Sequence, residues 1–500
     1  MTQSLLIRGL PTSLARDGWW LSVNPPEGAD RQSETATPRL PPVLGLLLLV
    51  VLADLLFWNH RPGVSVALFA VALFAVAIAG IRPRRALWRP TLLLLAAAAP
   101  VVDHVQPLSF GFLGLGLAFA LVWVRRPEAP VATLSSLATA FLRRLPRRWF
   151  GVLNLPRTGQ RMMVLRRQVT GPMPQALIRD WAFPVAGTLV FAALLMQANP
   201  VLARVLDIDF DLWTALSRAL FWTGAAIFVA PFLAPDLPDP IPFPTFAALP
   251  LASLGLNSAS VLRALFLFNL MIGVQTLTDL SILMGGAVLP KGMSFAEYAH
   301  RGAYPLLATA LLAGAFALAA RPFLGERRAI RPLLLLWIAQ NMVLCGAAML
   351  RLDHYVDAFG LTYLRVYAMI WIGLVAAGLG LVFWQVIRHR TNLWLFSCGG
   401  VLALATLYAC SFVNFSHMIA AKNLSRDDAD FAYICDLGPM AQSAIVDAMR
   451  RRPDQLHPIR DVQPCDALRP IRVTDWQEWG FRSWRVARYI AHVETGRRVP

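Results

Sequence analysis

Asn269, Gln275, Thr276 and Asp279 stand inside an apolar run long enough to cross a bilayer, and any chemistry in this chain starts with them. At about 100° per residue, Asn269, Ile272, Thr276 and Asp279 share one helical face, with Gln275 at its edge. A carboxylate at that depth costs ~2.5–3.5 kcal/mol to insert, so Asp279 is expected to face a bundle interior or water. Groups of this kind form either a proton or ion path or a structural ion pair.

A second constellation follows. Glu297-x-x-His300 has the i, i+3 spacing used by helical di-metal carboxylate sites, and Asp353, His354 and Asp357 add oxygen and nitrogen donors. Such sites need two of these motifs, and one is found. The bland reading is a network in which Asp279, Glu297, Arg351 and Arg365 neutralise one another, binding the seventh, ninth and tenth apolar runs. Gln340 stands eleven residues before Arg351, on the same face of the ninth run. No metal and no cofactor is expected. No Ser-His-Asp order, glycine-rich phosphate loop or HExxH motif appears.

The elements that must hold these groups are membrane helices. Of 500 residues, 57% are hydrophobic and only 15% charged, against about 25% charged in soluble domains. Apolar runs of bilayer length give about eleven spans: 41–58, 64–81, 88–103, 107–124, 182–199, 212–234, 261–286, 303–321, 332–350, 363–386 and 393–414. The third is the weakest, ending in Asp103 and His104. The expected fold is an all-α polytopic bundle. Residues 1–40 read as a disordered cytoplasmic tail without a signal sequence. Residues 41–124 hold four spans, 125–181 a basic cytoplasmic segment, 182–415 the remaining seven, and 416–500 a small helical domain.

The net charge of +17 is arginine concentrated between apolar runs, which points to topogenic charge and anionic lipid head groups rather than to nucleic acid. Arg82, Arg84, Arg85 and Arg89, the cluster from Arg125 to Arg179, Arg321 to Arg331, and Arg388 with Arg390 all fall on one side of the bundle. The positive-inside rule makes that side cytoplasmic, with the N-terminus inside and the C-terminus outside. ATLSSLATAFLRRLPRRWFGVL (132–153) reads as an amphipathic helix lying on the inner leaflet. The Pro-rich stretch 235–246 reads as a stiff connector. Gly373 with Ala377, and Ala376 with Gly380, have the spacing of close helix packing.

In the C-terminal domain, Asp427 and Asp428 are expected near a helix start, and 474–493 reads as an amphipathic helix at the membrane–water boundary, with Arg482, Arg485 and Arg488 at three-residue spacing. Cys435 and Cys465 share this outer domain, where oxidation is permitted. A disulfide between them closes a loop of about 30 residues and contributes roughly 3–4 kcal/mol.

Three stretches, GMSFAEYAHRGAYPLL (292–307), LRLDHYVDAFGLTYLRVYAMIW (350–371) and HMIAAKNLSRDDADFAYICDLGPMA (417–441), resemble the bacterial membrane family called domain of unknown function 4173, with its relative 4153. Glu297, Tyr298, Tyr355, Gly360, Leu361, Arg365, Asn423 and Leu437-Gly438 carry the resemblance from about residue 259 onward, while His300 replaces a more usual Arg. The resemblance implies a multi-pass protein of the bacterial inner membrane and supplies no activity. The functional expectation is a non-catalytic scaffold, sensor or assembly component of the envelope, with an extracytoplasmic protein partner at 416–500. An ion- or proton-coupled transporter using Asp279 and a lipid-linked transferase are the alternatives.

Overall fold

A computed structural model describes residues 42–79, 87–151, 211–233, 257–283, 295–452, 464–471 and 473–495, with a few positions between 183 and 195; at 295–307 it describes the backbone alone. The expected tail at 1–40, the segment from 152 to 181, most of the expected span at 182–199 and the connector at 235–246 lie outside the described residues.

The described chain is helical, with no strand. In order the helices are α1 (Pro42–Phe57), α2 (Val64–Ala77), α3 (Trp88–Asp103), α4 (Pro107–Arg125), α5 (Val131–Gly151), α6 (Leu212–Leu233), α7 (Ser258–Leu283), α8 (Phe295–Ala320), α9 (Ile330–Phe359), α10 (Tyr363–Arg388), α11 (Asn392–Phe412), α12 (Phe415–Leu424), α13 (Phe431–Asp436), α14 (Gln442–Arg451) and α15 (Phe481–Glu494). Among the described residues, six are long and apolar enough to cross a membrane: α4, α6, α7, α9, α10 and α11. Apolar helices at Val43–Phe57, Val64–Ala77 and Ala308–Phe323 are shorter, and α3 carries Pro100 in its interior.

The chain divides into two compact units. One comprises residues 1–58, 69–93 and 118–239. Within it α1 packs on α6, where Asp54 accepts from Arg218 Nε at 2.9 Å and from Trp222 Nε1 at 2.8 Å. The basic helix α5 buries Leu134, Leu137, Phe141 and Leu145 while Arg143, Arg144 and Arg147 stay exposed. Leu134, Leu137 and Ala138 meet Val122, and Phe141 meets Phe232 edge-on at 5.8 Å. The apolar face expected to lie in lipid is therefore covered by protein, because a stripe this hydrophobic is satisfied by whichever apolar surface is nearest.

The other unit comprises residues 59–68, 94–117 and 240–500. Its centre is α9, packed against α7, α8 and α10 around fully buried Leu265, Ala313, Ile330, Leu334 and Ile338. Helix α9 runs to Phe359, so Arg351, Asp353, His354 and Asp357 are helical and not in a loop. It stops because Gly360 turns back at φ 77°. Thr362 then caps α10, its side chain accepting from the Arg365 backbone N–H.

A second core holds the C-terminal helices together: Ile419, Ala420, Ile434, Cys435, Ala441, Ile445 and Ala467 are buried with Val356, Leu361 and Val366 from the α9–α10 turn. The helix start there is capped by Asp430 rather than Asp427 or Asp428, since Asp428 is held by Arg426. The last helix begins only at Phe481, after Gly480. Among the described residues Gly373 meets no neighbour that a Cβ would touch, whereas Gly380 faces Met342 at 3.8 Å, so there the second small-residue pair is the one that faces a helix.

Candidate functional site

Asp279 and Arg351 form an ion pair between α7 and α9, with side-chain exposures of 1% and 5%. One turn earlier on α7, Gln275 donates its amide to Asp279 Oδ1 at 2.8 Å. The sequence logic required a partner for an acid at this depth, and the partner is an arginine that buries with it. Asn269, on the same face of α7, donates to the Leu265 carbonyl at 2.7 Å and to Leu333 O on α9 at 3.0 Å, tying the helices through a backbone oxygen. Gln340 lies opposite Gly273, where a Cβ would come 3.4 Å from its amide nitrogen. Asn341 is fully buried and donates to Trp337 O at 2.8 Å.

Four others of the predicted set stand elsewhere. Asp353 and His354 are exposed. Asp357 is also exposed and accepts from Lys422 Nζ at 2.9 Å. Arg365 turns to the end of α9, donating to Phe359 O at 2.9 Å and to Gly360 O, with its guanidinium 4.5 Å from the Tyr355 ring centre. Glu297 and His300 are on α8, and their side chains lie outside the described residues.

Residues from the resemblance meet at that turn instead. Asn423 accepts from the Leu361 N–H and donates to the Leu361 carbonyl at 2.9 Å, so one buried side chain answers both backbone groups of one residue. Gly360 is required there, because a Cβ would come 2.8 Å from Asn423 Oδ1. From α12's end, Arg426 donates to the Val356, Asp357 and Ala358 carbonyls. Together Arg365 and Arg426 cover the carbonyls at the C-terminus of α9, where a cation also suits the helix dipole.

Two further contacts fasten the C-terminal helices to the ends of earlier ones. Arg482 is buried, its Nε donating to Asp103 Oδ2 at 3.0 Å and its Nη groups to Val413 O and Ser411 O. In sequence Asp103 merely weakened a span and Arg482 merely spaced a basic face; nothing linked them, and the arginine read as interfacial is turned inward. In the Asn59–Gly63 turn, the Arg61 N–H donates to Glu478 at 3.0 Å, and Val64 N–H donates to Trp479 O at 2.7 Å. Cys435 and Cys465 are joined in a disulfide. His417 shares a 2.8 Å hydrogen bond with Ser443, and burial pushes its pKa below the ordinary histidine value. Burial and the nearby Arg482 do the same to His104.

These features define a class: a protein helical throughout its described residues, six of whose described helices are apolar and of bilayer length, in which a disulfide-bonded helical domain grips helix ends. Residues 43–448 match the family model described as a domain of unknown function (DUF4153), and the chain belongs to that family. The family shown is thus the relative named second, rather than 4173, and the match reaches back over a first half whose only visible likeness was hydrophobicity. No curated protein and no solved structure matches the chain.

Proposed function

We propose that this protein is a non-catalytic scaffold or sensor of the bacterial inner membrane, with about eleven spans, its N-terminus inside and its C-terminal helical domain outside. The observation that carries this is the placement of bonds within the second unit. The C-terminal domain is bonded at the 59–64 turn, at the end of α3 and at the α9–α10 turn. Arg331, by contrast, donates to Ile387 O at the other end of α9 and α10, and Arg321 bonds Arg390 O and Asn392 there. A 30-residue helix separates its ends by about 45 Å. Acid–cation clasps at one end and arginines bonded to carbonyl and amide oxygens at the other support the inside-to-outside order read from charge. The arginine end and the exposed arginines of α5 meet anionic lipid or a cytosolic partner; the C-terminal domain meets an extracytoplasmic protein.

In this reading Asp279–Arg351 is a clamp. Removing one member leaves a buried charge and costs on the order of 3–5 kcal/mol, whereas replacing both by apolar residues of like volume is close to neutral. Asp279→Leu alone should therefore lower the amount of folded protein, and Asp279→Leu with Arg351→Met should restore it. A transport reading draws on Asn269, Thr276, Gln340 and Asn341, each with a buried oxygen lacking a hydrogen-bond partner among the described residues. Proteoliposome flux separates the two. A folded double variant that has lost an ion flux present in the wild type would establish transport.

A further inference from the structure

We propose that His60, Asp475 and Glu478 form a divalent-metal site of the zinc type that clasps the Asn59–Gly63 turn to the C-terminal segment. One ligand atom from each of the three lies within 4.8 Å of the others, although the turn and the segment are 417 positions apart between Arg61 and Glu478.

The ligands are set by backbone rather than by side-chain reach. Val64 N–H donates to Trp479 O at 2.7 Å, and a Cβ on Gly63 would come 2.4 Å from the Glu478 carbonyl carbon, so only glycine lets the two segments come this close. Glu478 is held at both oxygens, Oε1 by the Arg61 N–H and Oε2 by the Thr474 hydroxyl, each at 3.0 Å. Outer-shell bonds of this kind orient metal-binding carboxylates. Among the described residues His60 Nδ1 is a buried atom without a hydrogen bond, 3.4 Å from Asp475 Oδ2, and the Gln477 amide nitrogen lies 3.4 Å from Nε2. The Nδ1 edge of the ring, withdrawn from water and 3.4 Å from a carboxylate oxygen, becomes a metal ligand once its proton is released, as metal binding requires.

One imidazole and two carboxylates suit zinc or manganese better than calcium, which takes oxygen ligands throughout. Zinc ligands stand about 2.0–2.2 Å from the metal and so roughly 3.4 Å from each other; closing by about 1 Å completes the set. Two carboxylates against the Arg61 guanidinium leave a net negative charge to attract the cation. Three protein ligands leave a fourth position open, as in sites that take water or a partner's side chain. The simpler account is a surface His60–Asp475 ion pair, which contributes little. Asp475 and Glu478 lie beyond the family match, which ends at 448, and the site is independent of the scaffold reading.

The experiment uses full-length protein in detergent, carrying a histidine-free affinity tag, stripped with chelator and titrated with Zn²⁺ while bound metal is measured by mass spectrometry. Wild type should hold about one zinc per chain. His60→Gln and Glu478→Gln should lose it, and Thr474→Val should bind about tenfold more weakly. Asp475→His separates the accounts, since it destroys the ion pair but keeps three ligands, and it should retain zinc. Wild type without bound zinc, zinc that persists in both His60→Gln and Glu478→Gln, or Asp475→His without zinc overturns the proposal.

Discussion

Asn423 does for Leu361 what a neighbouring strand does elsewhere, supplying one donor and one acceptor to a backbone that has just left a helix. Removing it as Asn423→Ala strands a buried N–H and a buried carbonyl, each costing about 1–3 kcal/mol. Thermal unfolding in detergent should show a loss of roughly 2–4 kcal/mol, and an unchanged midpoint would contradict this role. Gly360→Ala should do comparable harm, since it combines φ 77° with a 2.8 Å approach to Asn423 Oδ1. Histidines act at the same scale. His104 and His417 are held below the ordinary value by burial, so the unfolded chain takes up their protons first as pH falls. Stability is full above about pH 6.5 and is lost as pH drops through and below it. The fall in unfolding temperature between about pH 7.5 and 5.5 should be smaller in His417→Gln than in wild type; identical falls would count against burial as the cause. Asp279 was legible as a residue because a deep acid needs a partner. Asp103 and Arg482 were not, because each looked ordinary where it stood and no local spacing joins positions 379 apart.

At the scale of elements, apolar length carried the reading well: α4, α6, α7, α9, α10 and α11 fall where uninterrupted hydrophobic runs placed them. What failed was punctuation. The polar stretch after Leu350 looked like a loop, yet α9 continues through it. Arg351 is buried against Asp279, Val356 packs into the C-terminal core, and the helix has no reason to stop before Gly360. Likewise α5 was legible as amphipathic, but not that α4 and α6 would take its apolar face. Such outcomes depend on which surfaces tertiary packing brings near, and periodicity says nothing of that. The disulfide belongs to this scale as well. It closes 30 positions of chain between α13 and the short turn of helix at Asp466–Leu468. Reduction should cost the C-terminal domain about 3–4 kcal/mol. Melting with and without reductant checks it, and equal midpoints would mean that the core of Ile419, Ile434 and Ile445 suffices alone.

For the molecule as a whole, the same residue type does opposite work at the two ends of the helices. Arg365, Arg426 and Arg482 are spent on helix ends and a buried acid within the protein. Arg388 and Arg390 face outward. That division underlies both the proposed orientation and the scaffold role, since a domain bonded to several turns transmits a partner's grip to all of them. Impermeant thiol labelling of intact cells tests it most directly, using a background in which Cys345, Cys398 and Cys410 are replaced and one cysteine is introduced at Pro62 or at Arg390. The account predicts that Pro62→Cys is labelled from outside, and that Arg390→Cys reacts only after the cells are opened. Labelling of Arg390→Cys in intact cells, with Pro62→Cys protected, would contradict it.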